Sequence, residues 1–179
     1  MIDAQESFRQ PAGTWERTAN LAVLDNVTKL VAAARAARDV VVWVRHAEPG
    51  SEGPFDPANG FVEIVSEFEP RDNELNIIKT SINAFTTTNL QQQLVQRGIR
   101  RLVICGIRTE QCCETTARVA SDLGFGVEFV LDATTTWTIP AGEGYDEIGG
   151  RDVMKRSASV LGGRGFAKIH STAEVLANS

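Results

Sequence analysis

Arg101-Leu102-Val103-Ile104-Cys105-Gly106-Ile107-Arg108-Thr109-Glu110-Gln111-Cys112-Cys113-Glu114-Thr115-Thr116-Ala117-Arg118 is the stretch on which the fold turns. Residues 101–105 form a short apolar run that ends at Gly106, and Cys113, Ala117, Ala120 and Gly124 then recur at helical spacing. A strand that hands over to a helix predicts an α/β chain and puts Cys112 in the first helical turn. Unpaired N–H groups and the positive end of the helix dipole favour an anion there, which lowers a thiol pKa or holds a developing oxyanion. A cysteine behind a strand is also read as a small buried hydrophobe. Spacing alone does not choose between the two.

Working outward, Leu21, Leu24, Val27, Leu30, Val31 and Ala34 predict an amphipathic helix over 20–38. Val40-Val41-Val42-Trp43-Val44 follows as a β-branched run of the kind buried in a parallel sheet. Further strands are predicted at 75–78, 101–105, 127–131 and 166–169, with helices at 87–97, 112–123, 147–161 and 172–177. Strict alternation of strand and helix, with right-handed crossovers, implies a doubly wound, mainly parallel sheet with helices on both faces, a Rossmann-like α/β fold. At 179 residues the expectation is one domain over 1–179. Segments 46–60 and 137–150 are rich in Gly and Pro and read as loops at the carboxyl edge of the sheet, where such folds bind ligands. Gly162-Gly163-Arg164-Gly165 is a helix stop rather than a phosphate loop, since no Gly-Lys-Ser/Thr follows.

Composition narrows the function classes. The formal net charge of −5, without a local Lys/Arg cluster, argues against nucleic acid as a partner. No apolar run approaches the roughly 20 residues that span a bilayer, and no leader pattern opens the chain, so no membrane partner and a cytoplasmic location are expected. Three cysteines, two of them adjacent, make a poor disulfide framework and fit a reducing compartment.

A cysteine nucleophile needs a proton acceptor. The two histidines offer little: neither His46 nor His170 obviously faces Cys112, and His46 reads as exposed or capped rather than as a metal ligand. Lys79 closes the strand Leu75-Asn76-Ile77-Ile78, and Asp3 closes the very short Met1-Ile2. If these segments run parallel to 101–105, Asp3, Lys79 and Cys112 emerge at one sheet edge. Lys79 then stabilises a thiolate and Asp3 takes the thiol proton and returns it to a leaving amine. A plain strand-end ion pair of Asp3 and Lys79 is the competing reading.

These residues carry a resemblance. Asp3-Ala4-Gln5-Glu6-Ser7-Phe8 resembles the Asp-x-Gln-x-x-Phe signature of the isochorismatase-like cysteine hydrolases. Lys79 with Ala84-Phe85 is similar to that family's Lys segment, and Gly106-x-x-Thr109-x-x-Cys112-x-x-x-Thr116-Ala117 to its nucleophile motif. Asp132-Ala133 and Phe166-Ala167-Lys168-Ile169 extend the likeness toward the C-terminus. The resemblance implies a six-stranded sheet, an Asp3-Lys79-Cys112 catalytic triad and a cis peptide at Ile107–Arg108. It further implies an oxyanion hole made by the backbone N–H groups of Arg108 and Cys112, and a homo-oligomer. The reaction it implies is hydrolysis of a C–N bond in a small carboxamide through a thioester on Cys112, with no cofactor and no metal. Cys113, in helical register with Ala117 and Ala120, points into the core.

Two other activities stay open under the resemblance: isochorismatase-type vinyl ether hydrolysis, and non-catalytic binding by an oligomer of the same fold. The chain departs from the nicotinamide-cleaving members, whose Asp-x-His metal motif is replaced by Trp43-Val44-Arg45-His46. It also has only Met1 and Ile2 before Asp3, where the family has a longer central strand. Either the start lies upstream or that strand is abbreviated. Phe8, Trp43, Phe85 and Trp137 are candidate pocket residues, with ordinary core packing the alternative for each.

Overall fold

The protein is described by a computed structural model covering residues 1–178. Five parallel strands, β1 (Val42–His46), β2 (Leu75–Lys79), β3 (Arg101–Ile107), β4 (Gly126–Thr135) and β5 (Lys168–His170), form a β1-β2 pair and a β3-β4-β5 group. Among the described residues a sixth strand is not formed. Its place between β1 and β3 is held by Ile2 alone, which bridges Val44 on one side and Gly106 on the other. The six-strand expectation is thus corrected to five strands and one bridging residue.

The single residue works as a strand because both its edges are bonded. Ile2 N–H donates to Cys105 O at 2.8 Å, Ile107 N–H donates to Ile2 O at 2.9 Å, and Asp3 N–H donates to Val44 O at 2.8 Å. Gly106 makes this possible. It sits at φ +127°, and a Cβ there would lie 1.9 Å from Ile2 O, so the motif's glycine is required for the close approach. Beside Met1 and Ile2 lies a cavity of about 250 Å³ lined by Leu30, Val42, Leu94, Leu102 and Val103 among others.

Helices cover both faces. One face carries α1 (Val23–Ala37) and α5 (Thr172–Ala177), whose apolar sides pack with Trp43, Val130 and Ala133. The other carries α2 (Leu90–Gln96), α3 (Glu114–Asp122) and α4 (Gly150–Gly163), which bury Leu94, Ala117, Ala120 and Leu161 against Val44, Ile77 and Phe129. Among the described residues no helix is long and apolar enough to cross a membrane.

Boundaries move where side chains capture backbone. The helix expected from residue 20 starts at Val23, because Asn20 Nδ2 donates to Asp132 O and Thr134 O while its Oδ1 accepts the Ala22 N–H. β4 runs past 131 to Thr135, since Thr134 and Thr135 pair with Gly106 and Ile107 after a register shift. The segment 137–150 holds a small antiparallel ladder, Ile139 with Ile148 at 2.9 Å in both directions, which delays α4 to Gly150.

Glu74 clamps α1 to the start of β2. It accepts from Arg35 Nε at 2.7 Å, Trp43 Nε1 at 2.6 Å and the Arg71 N–H at 2.9 Å. Burial works to raise this carboxyl, but the hydrogen bonds from Arg35, Arg71 and Trp43 outweigh it and hold it at about 2, below the ordinary 4.5. A depressed folded-state pKa gives stabilisation that is complete above pH 4.5 and lost as the pH falls toward 2. Glu74→Gln is therefore expected to lower neutral-pH stability by about 2 kcal/mol and to flatten the acid limb, as read by urea melts over a pH series.

Candidate active site

Asp3, Lys79 and Cys112 come from three distant segments and meet at the carboxyl edge of the sheet. Asp3 follows the Ile2 bridge, Lys79 ends β2, and Cys112 sits in a π-helical turn, Thr109–Cys113, that joins β3 to α3. Asp3 and Lys79 are fully buried and Cys112 is 4% exposed. Lys79 Nζ lies 2.8 Å from Asp3 Oδ2, 3.5 Å from Cys112 Sγ, 3.3 Å from His46 Nδ1 and 3.2 Å from Ser81 O. An ammonium has three N–H donors for these four neighbours. The Asp3 contact is a buried ion pair, and the same carboxylate interacts with the Cys112 thiol. Asp3 itself adopts φ 49°, a left-handed conformation that Asp tolerates.

The thiol does not carry the low pKa that a helix start suggests. Burial and the neighbouring Asp3 carboxylate push Cys112 up to about 12, against the pull of Lys79. Burial likewise raises Asp3, more than Lys79 lowers it. A helix N-terminus acts on a solvated thiol; here loss of water dominates. Cys113 is wholly buried with Ala117 and Ala120, and its thiol is raised well above the ordinary value, first by burial.

His46, which the sequence leaves as exposed or capped, is buried beside the cluster at 6% exposure. Since Lys79 Nζ has only donors, His46 Nδ1 accepts, which puts the ring proton on Nε2, 3.1 Å from Glu48 Oε1. With both ring nitrogens engaged, one of them by an ammonium, and Val44 offering no carboxylate, this position does not fit a metal ion. Gln5, the second fixed residue of the first motif, pins His46 by accepting its N–H at 2.7 Å and donating to its carbonyl at 2.9 Å. This role of Gln5 is not visible in the sequence, because its partner lies 41 residues away.

The turn bearing Cys112 is anchored on two sides. Thr109 Oγ1 donates to Thr134 Oγ1 at 2.8 Å on β4. Glu114, also unmarked by the sequence, accepts from Arg118, Arg156 and Ser157, joining α3 to α4. Burial would raise Glu114, but those three partners hold it below the ordinary carboxylate range. The Ile107–Arg108 peptide is cis. Among the described residues the Arg108 N–H donates to no protein acceptor.

The four aromatic candidates separate. Phe8 and Trp137 stack at 5.7 Å between centroids, and Phe55, 5.0 Å from Phe8 and 5.6 Å from His46, links them to the cluster. Phe85 packs with Cys112 and Phe125 in the core on the α3 face. Trp43 is corrected to a core residue. It lies on the α1 face with Phe68, opposite Cys112, with its indole N–H committed to Glu74.

With this geometry in place, comparison with known proteins is informative. Residues 1–143 match the isochorismatase domain model. The chain is 34% identical over 142 residues to streptothricin hydrolase of Streptomyces noursei, covering 79% of this chain and 50% of that protein. It is 33% identical over 151 residues to nicotinamidase 3 of Arabidopsis thaliana, covering 76% and 72%. A crystal structure of a hydrolase of the isochorismatase family from Chromobacterium violaceum superposes with TM-score 0.89 at 27% identity, covering 98% of this chain and 89% of that one.

Proposed function

The chain belongs to the isochorismatase family, and from that premise we propose that it is a cysteine-dependent amidohydrolase acting on a small carboxamide through a thioester. One observation carries the reading: a buried ammonium, Lys79, pairs with the Asp3 carboxylate at 2.8 Å and reaches the Cys112 thiol at 3.5 Å. Two relatives are named for hydrolysis, one of them a nicotinamidase, which supports the C–N class.

In this reading Cys112 Sγ attacks the carbonyl carbon as its proton passes to Asp3. The transfer moves a negative charge from carboxylate to sulfur while Lys79 stays positive, so the net charge of the buried cluster is constant throughout. That matters where uncompensated charge is costly. The carbonyl oxygen, becoming an oxyanion, is received by the backbone N–H groups of Arg108 and Cys112. The C–N bond breaks as Asp3 returns the proton to the leaving nitrogen. Water then adds to the thioester and gives a proton to Asp3. Breaking the C–S bond releases the acid as Asp3 returns the proton to the departing sulfur, restoring thiol and carboxylate. Because the free thiol stays protonated, the nucleophile exists only when Asp3 takes the proton during attack.

The test is ammonia release over a panel of small primary amides. Turnover of an amide is the expected result; turnover of isochorismate without that of any amide would overturn the reading in favour of vinyl ether hydrolysis.

A further inference from the structure

Arg108 stands out among the arginines. Those withdrawn from open solvent, Arg9, Arg35, Arg45 and Arg118, each pair with a carboxylate. Arg108 is half-buried and pairs with none among the described residues, in a chain with 23 acidic side chains against 18 basic ones. Glu110, two residues on, is not its partner, since both Glu110 oxygens are buried without a hydrogen bond. The guanidinium instead lies over the Trp137 ring at 4.9 Å and the Phe8 ring at 5.8 Å. Trp137 is itself fixed by its indole N–H, which donates to Thr14 O at 2.8 Å.

This is a held but unsatisfied fork. Stacking on aromatic faces fixes the plane of a guanidinium and leaves its N–H edge free, which suits a planar carboxylate bound through two parallel hydrogen bonds. The backbone that carries it adjoins the chemistry. The Arg108 carbonyl accepts the N–H groups of Gln111 and Cys113, on either side of Cys112. The Phe8–Phe55–His46 wall runs from the guanidinium to the residue that touches Lys79.

We propose that Arg108 is the anion anchor of the site, so that the substrates are small amides carrying a carboxylate, gripped by a guanidinium that Trp137 and Phe8 hold at the start of the turn bearing Cys112. The inference rests on the amidohydrolase reading and names its substrate class. Preorganisation makes the grip strong, since little side-chain freedom is left to lose on binding.

Calorimetric titration of Cys112→Ala protein with malonamate, succinamate and glutaramate, each beside its methyl ester, tests the anchor. At least one acid is expected to bind about 30-fold or more tightly than its ester, the gain of charge-assisted hydrogen bonds. Arg108→Met in the same background should close the acid–ester gap, and Arg108→Lys should reopen part of it. The proposal is overturned if no acid outbinds its ester, if the gap survives Arg108→Met, or if Arg108→Met weakens acid and ester by one common factor. The titration needs no turnover. Failure of the thioester reading would show separately, as amide hydrolysis by the Cys112→Ala protein itself.

Discussion

Cys112→Ala is expected to reduce amide hydrolysis by at least about 10⁴-fold, with the fold intact. No other thiol can stand in. Cys113 is adjacent in sequence but faces the α3 core with no exposure, and Cys105 is buried within β3. The loss should fall on kcat, because the deleted sulfur forms its bond only during reaction. A Cys113→Ala protein separates chemistry from packing: it should keep its rate while losing some stability, as read by kinetics and denaturant melts side by side.

Asp3→Asn should lower the rate by about 10³-fold or more, since an amide of the same shape takes no proton from the thiol. A second effect is expected on stability. Removing the carboxylate leaves the Lys79 ammonium wholly buried with only neutral neighbours, Ser81 O, His46 Nδ1 and Cys112 Sγ, a change that costs about 3–5 kcal/mol. Adding Lys79→Met should restore most of that stability, because the pair is then replaced by neutral groups of similar volume, and should restore none of the activity. Denaturant melts with single-turnover assays on the two proteins would read both. If the double variant regained activity, Asp3 would not be the proton acceptor.

How much of this was legible in the sequence depends on the range of the interaction. The α/β alternation was, since each strand and helix announces itself within about ten residues, and so was the position of Cys112 behind β3. Asp3 and Lys79 could be placed only as strand ends. Met1-Ile2 is too short to show any period, and the residue acts as a strand only because Gly106 lets its backbone in. The burial of His46 is not legible locally, because it is set by Gln5 and Lys79, 41 and 33 positions away. Residue type leaves Trp43 open as pocket or core, whereas strand alternation turns it to the α1 side, away from Cys112. The choice between a lowered thiol pKa and a buried thiol is not legible for a related reason. Local helix geometry is written in the sequence, but the exclusion of water by three converging segments is not.

The most direct measurement is the mass of the protein itself. When the protein is mixed with an amide substrate, quenched in acid within milliseconds and digested, the peptide carrying Cys112 should gain the mass of the acyl group, and hydroxylamine should remove it. An unmodified Cys112 peptide during steady ammonia release, with the Cys112→Ala protein hydrolysing the same amide at the parent rate, would contradict the account.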